Sequence, residues 1–136
     1  MLRVIDTETC GLQGGVVEIA SVDIVNGQIV NPMSDLVRPD RPISHQAMAI
    51  HRVTEAMVAD KPELEVVLPS YLGSPFYVAH NADFDSRMLP DMGGEWICTI
   101  TARCMIAISL PRFCWISCSR QTGRRKRWSP LPVARP

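Results

Sequence analysis

Val4-Ile5-Asp6-Thr7-Glu8-Thr9-Cys10-Gly11 is the stretch from which the fold is read. Leu2 to Asp6 has the apolar enrichment and alternation of a short strand, and side chains two apart on a strand point the same way. Asp6 and Glu8 therefore share a face at the strand's end. Two carboxylates so placed repel each other unless a cation neutralises them, and hard divalent ions such as Mg²⁺ prefer carboxylate oxygens. The chemical reading is a metal site for phosphate chemistry. Solvated surface acids are the plainer reading of an Asp-x-Glu taken alone.

Charge divides the chain in two. Residues 1–95 hold all 14 acids against six Lys and Arg, a net −8, and the remaining 41 residues hold eight Lys and Arg and no acid, a net +8. About 95 residues bury only about 60–65 % of their unfolded surface, which allows a single core. No 18-residue apolar run and no basic-then-apolar leader is present, so the expectation is a soluble protein of the cytoplasm with no membrane partner. Cys10, Cys98, Cys104, Cys114 and Cys118 match neither paired zinc ligands nor a disulfide scaffold, and they read as free thiols in a reducing compartment.

Outward from the first strand, Val16–Val25 is apolar on both strand faces, as in a strand covered on both sides. Asn26-Gly27 predicts a type I′ hairpin, with a return strand over Gln28–Val30. Glu18 lies within reach of the acid pair, but its reading is structural. Arg38-Pro39-Asp40-Arg41-Pro42 is a rigid loop. Ser44 can cap a helix with Ile43, Ala47 and Ile50 on one stripe, and Thr54 a second helix with Met57 and Val58 inward. His51, between them, reads as a packed or surface histidine. A third helix from Pro62 places Leu64, Val67, Leu68, Tyr71 and Leu72 at helical spacing, with Pro69 kinking or shortening it. Phe76–Ala79 is a short buried strand. Asn81 then caps a helix that runs through Met88 and stops at Pro90, with Asp83 and Asp85 in its first turn, where the helix dipole favours negative charge.

Two of these segments resemble the motifs of a known family. Asp6-Thr7-Glu8-Thr9-Cys10-Gly11 is similar to the first motif of the DEDD 3′-5′ exonucleases, and Ala79-His80-Asn81-Ala82-Asp83-Phe84-Asp85 resembles the second, which puts the ligand on Asp85 and gives Asp83 no role. Ala47–Thr54 and Val17-Glu18-Ile19-Ala20 also fit, and the wording is most like the exonuclease X branch. The resemblance spans about residues 1–99. It implies an α/β, ribonuclease H-like mixed sheet of about five strands flanked by helices, three hairpin-linked strands first, incomplete at the C-terminus. It implies removal of mononucleotides from DNA 3′ ends, single-stranded or duplex, with two Mg²⁺ or Mn²⁺ ions about 3.5–4 Å apart. Asp6, Glu8 and Asp85 match the family's first three ligands, and Thr9, Gly11 and Leu12 its contacts to the terminal nucleotide. An RNA exonuclease of the oligoribonuclease type, and a remnant that binds metal or single-stranded DNA without cutting, are the alternatives.

The family's third motif supplies a fourth carboxylate preceded by a general base, His or Tyr according to subclass, and no Asp or Glu follows Glu95. His45, His51 and His80 stand too early in the chain to serve. An impaired nuclease is the expectation. After Trp96-Ile97-Cys98-Thr99 periodicity disappears, and residues 100–136 form a basic tail rich in Cys and Pro, read as disordered or out of frame; Arg124-Arg125-Lys126-Arg127 is read with it rather than as a nucleic-acid patch. With one permitted choice of codons, Ile100–Ile106 read in another frame gives His-Arg-Ala-Leu-Tyr-Asp, a third motif. The coding sequence around codon 100 is expected to yield that motif in an alternative frame, and a gene that lacks it in every frame overturns the explanation.

Overall fold

The computed structural model describes residues 1–100. The expectations for residues 101–136 lie outside the described residues. Five strands form one mixed sheet: β1 (Leu2–Thr9), β2 (Val16–Val25), β3 (Gln28–Leu36), β4 (Phe76–Ala79) and β5 (Glu95–Cys98), ordered β3-β2-β1-β4-β5. β1, β2 and β3 form the expected antiparallel meander, and β4 and β5 add parallel strands on the other side of β1. The ribonuclease H-like mixed sheet expected from the sequence is the fold found.

β1 runs three residues beyond the predicted Asp6, because β2 pairs with it as far as Thr9 opposite Val16. The hairpin forms as predicted: Asn26 and Gly27 have φ of 51° and 76°, the two positive angles of a type I′ turn. β3 continues past Val30 to Leu36. Its register with β2 shifts between Ser21 and Asp23, where Asn31 takes a φ of 50° and donates to Asp23 Oδ2 at 3.1 Å. Pro32 is tolerated because β3 is an edge strand.

Around the sheet lie α1 (His45–His51), α2 (Glu55–Val58), α3 (Leu64–Val67) with a 3₁₀ turn at Leu68–Tyr71, and α4 (Ala82–Met88). Ser44 caps α1 through Oγ, which accepts from Ala47 N. Thr54 and Asn81 begin α2 and α4 without the predicted side-chain caps. Pro69 shortens the third helix into the 3₁₀ turn, since it cannot donate the helical hydrogen bond. Ile50, Met57 and Leu72, predicted to face inward, are exposed. Their helices are single turns or little more, so one stripe of each touches the sheet and the next apolar position already faces water.

Two apolar clusters fill the core. Ile5, Ile19 and Tyr77 pack with Leu68, Tyr71, Leu89 and Met92, and Val17 packs with Cys10, Ile43, Ala47, Val53 and Val58. By strand alternation Ile5, Val17, Ile19 and Tyr77 share one face of the sheet. On the other face Ala20, Val22 and Ile24 are only half-buried, so β2 is not covered equally on both sides as its sequence predicted. At one end of the sheet Arg3 and Asp23 form a buried ion pair, Nε to Oδ1 at 2.7 Å and Nη2 to Oδ2 at 3.0 Å, and Arg3 Nη1 reaches the carbonyls of Ser70 and Leu72. This pair fastens the 3₁₀ turn to β1 and β2. The hydrogen bond from Arg3 holds the Asp23 carboxyl below the usual carboxylate range. Its stabilisation is present at neutral pH and is lost only as pH falls through that depressed value. Asp23→Ala, which leaves Arg3 buried and uncompensated, is expected to lower unfolding free energy by about 3 kcal/mol at neutral pH. Denaturant melts at pH 7 and in strong acid check this, the difference between variants shrinking at the lower pH.

Candidate active site

β1 displays its side chains alternately. Arg3, Ile5, Thr7 and Thr9 point into the core face and are buried, while Val4, Asp6 and Glu8 point to the opposite face and are half-buried. Asp6 and Glu8 therefore share a face, as the sequence predicted. β4 pairs with β1 only at Arg3 and Val4, which leaves the edge of β1 beyond Val4 without a strand beside it. α4 begins at this point and brings Asp85 to that edge. Asp85 Oδ1 accepts from both the backbone N–H of Thr7 at 3.2 Å and Thr7 Oγ1 at 2.8 Å. A side-chain carboxylate from 78 residues away thus takes the place of a neighbouring strand's carbonyl, on the residue between the two acids of β1.

Asp85 is 5 % exposed. Burial pushes its carboxyl above the usual range, opposed by the two bonds from Thr7 and by His80. The dipole reading of Asp85 is too small for what is seen, because its chief partner is Thr7 rather than the helix. Asp83, by contrast, is exposed and contributes its backbone carbonyl to Arg87 Nε at 2.7 Å.

Glu18, expected within reach of the acid pair but structural in role, faces the same side as Glu8 and has a structural partner. It lies directly across from Glu8 in the β1–β2 register and on the same face, where like charges destabilise the pair. Ser34 Oγ donates to Glu18 Oε1 at 2.9 Å. The signal was in the sequence: alternation from Val17 and Ile19 puts Glu18 on the outer face, and the missing quantity was the length of the turn that sets the register.

Thr9, Gly11 and Leu12 form the turn that follows. Thr9 Oγ1 donates to the carbonyl of Gly11 at 2.9 Å, and Leu12 is 86 % exposed, so an apolar side chain stands in water on the turn after β1. Gly15 closes this turn with a φ of 76° and no room for a side chain, since a Cβ would meet Cys10 Sγ at 2.9 Å. Carboxylate oxygens are what a hard divalent ion takes. Among the described residues, however, no three His, Cys, Asp or Glu side chains converge closely enough to hold one. The oxygen chemistry of Asp6, Glu8 and Asp85 suits such an ion.

With this geometry, comparison with known proteins is informative. The exonuclease family model matches residues 4–92. The chain belongs to this exonuclease family. Exodeoxyribonuclease 10 of Escherichia coli strain K12 is 77% identical over 100 residues, which cover 74% of this chain and 46% of that protein. The PolC-type DNA polymerase III of Thermotoga petrophila is 42% identical over 104 residues, 68% of this chain and 8% of the polymerase. Among solved structures, exonuclease X in complex with 5′ overhanging duplex DNA superposes with a TM-score of 0.71 at 78% identity, covering 72% of this chain and 59% of that one. Cell-death related nuclease 4 shares the fold, with a TM-score of 0.52 at 16% identity. The chain spans about half the length of the exodeoxyribonuclease it matches.

Because the folded Asp85 carboxyl lies above its unfolded value, it is a liability for the fold at neutral pH and none in acid: stability from this group falls as pH rises through the raised value. Asp85→Asn keeps an oxygen for Thr7 without the buried charge. In EDTA it is expected to melt above the unsubstituted chain at pH 7, the difference closing as pH falls into the ordinary carboxylate range. A variant that melts lower at pH 7 would show that the Thr7 bonds outweigh burial.

Proposed function

We propose that residues 1–99 are the amino-terminal part of a 3′-5′ exonuclease domain that removes mononucleotides from DNA 3′ ends, and that this chain hydrolyses poorly. One observation carries the reading: Asp85 of the second motif is bonded to Thr7, the residue between Asp6 and Glu8, so the two family motifs meet on β1. Divalent Mg²⁺ or Mn²⁺, two ions in an intact member, is the cofactor this reading carries, with Asp6, Glu8 and Asp85 as its protein ligands. The chain's own residues divide the remaining work. Thr7 fixes the plane of the Asp85 carboxyl through two donors on one oxygen. Thr9, Gly11 and Leu12 contact the terminal nucleotide, Leu12 by laying an exposed apolar side chain against its base. That exonuclease X was solved with duplex DNA supports DNA as the substrate class.

The impaired reading is supported by the acid-free stretch after Glu95. The same acid-free stretch favours a second reading, a domain that holds metal or single-stranded DNA ends without cutting. The buried thiol of Cys10 supports a reducing compartment such as the cytoplasm, and among the described residues no helix is long and apolar enough to cross a membrane.

Release of mononucleotides from a 3′-labelled DNA oligonucleotide in Mn²⁺, run beside a complete exodeoxyribonuclease, tests the proposal. The rate is expected to be lower by about 10²- to 10⁴-fold, the usual contribution of a general base. A rate equal to the complete enzyme's overturns the impairment, no release with measurable Mn²⁺ binding favours the non-cutting reading, and preference for an RNA oligonucleotide overturns the DNA assignment.

A further inference from the structure

The turn read as contacting the terminal nucleotide is fastened to residues 41–53 at several points. Ser44 N donates to the Cys10 carbonyl at 2.9 Å, Cys10 Sγ donates to the Arg41 carbonyl at 3.4 Å, and Arg41 Nη1 donates to the Gln13 carbonyl at 3.0 Å. The Ser44 tie is made by backbone and is indifferent to side chain. Arg41 is exposed, and its bond competes with water.

His51 is different. It is buried at the C-terminal end of α1, and both ring nitrogens are engaged. Val53 N–H donates to Nδ1 at 3.0 Å, and Nε2 lies 3.2 Å from the Thr9 carbonyl. A backbone N–H can only donate and a carbonyl can only accept, so the ring is neutral with its proton on Nε2. The two bonds do separable jobs. The first is local, closing the turn after Arg52, which takes a φ of 64°. The second reaches back 42 residues to the end of the strand that bears Asp6 and Glu8.

We propose that His51 is a positioning residue for the DNA terminus, acting through the Thr9 carbonyl to hold Thr9–Leu12 in place. The inference rests on the reading of that turn as the nucleotide contact. His51 does not itself touch the nucleotide. Its Nε2–H fixes the end of β1 at a depth set by a rigid ring, and the exposed Leu12 is presented from that fixed point.

The test uses the full chain and a fluorescent single-stranded DNA oligonucleotide with a free 3′ end, in EDTA, with affinity read by anisotropy. His51→Gln reaches the Nε2 position and can donate to Thr9, whereas His51→Asn reaches only the Nδ1 position and can accept from Val53. His51→Asn is expected to raise Kd by about five- to tenfold, the size of one lost hydrogen bond, and His51→Gln by about twofold or less. The melting temperatures are expected to fall in both variants without following that order. Equal Kd values for the two variants, or affinities that simply track melting temperature, overturn the proposal. Imidazole ¹⁵N spectra of the unsubstituted chain at neutral pH are expected to show the Nε2–H tautomer, and the other tautomer or the imidazolium overturns it too. If the unsubstituted chain holds no DNA end, the substrate reading has failed and this inference falls with it; an Nε2–H spectrum in that case shows that the His51 geometry was not at fault.

Discussion

Thr7 gives two hydrogen bonds to one oxygen of Asp85, and the candidate site exists because of that contact. An isolated buried carboxylate is costly, and a strand edge with an unpaired N–H is costly too. Placing one against the other offsets both. The contact is possible because β4 stops pairing with β1 after Val4, leaving room for the first turn of α4 at the strand's side. The short fourth strand, the position of the helix and the burial of Asp85 are thus consequences of one geometrical vacancy beside β1.

The same strand organises the rest of the molecule. β1 is central, antiparallel to β2 and parallel to β4, and its inward side chains meet three kinds of partner in succession. Arg3 meets a charge, Ile5 the apolar core, and Thr7 a carboxylate. Beyond them, the carbonyl of Thr9 meets His51. A polar–apolar–polar sequence along a buried strand face is stable only because each polar group has a dedicated partner from another element. Those partners come from β2, α4 and α1, so the strand that bears the acids is also the strand on which three separate segments are located. The raised carboxyl of Asp85 shows that burial there outweighs the two bonds from Thr7.

On the outer face of the sheet, Glu8 and Glu18 stand opposite each other with Asp6 one pleat away. Strand alternation and the β1–β2 register are what bring these three side chains to one face. Asp85 reaches the same strand from its edge, through Thr7, whose side chain points to the opposite face.

Much of this was determined by sequence, because its cues are local. Alternation placed Asp6 and Glu8 on one face, Asn26-Gly27 closed the hairpin, Ser44 capped α1, and Pro69 broke the third helix, each through the backbone preferences of a few consecutive residues. Helix faces were less legible: Ile50, Met57 and Leu72 fit the pattern and still face water, since a one- or two-turn helix has a single stripe in contact and the sheet chooses which. What tertiary structure alone decided is every relation between residues far apart in the chain. The register that opposes Glu18 to Glu8, the bonds that join Asp85 to Thr7, and the reach of His51 to Thr9 depend on strand lengths and turn geometry summed over tens of residues. Local propensity carries no information about such sums; packing of the whole sheet fixes them.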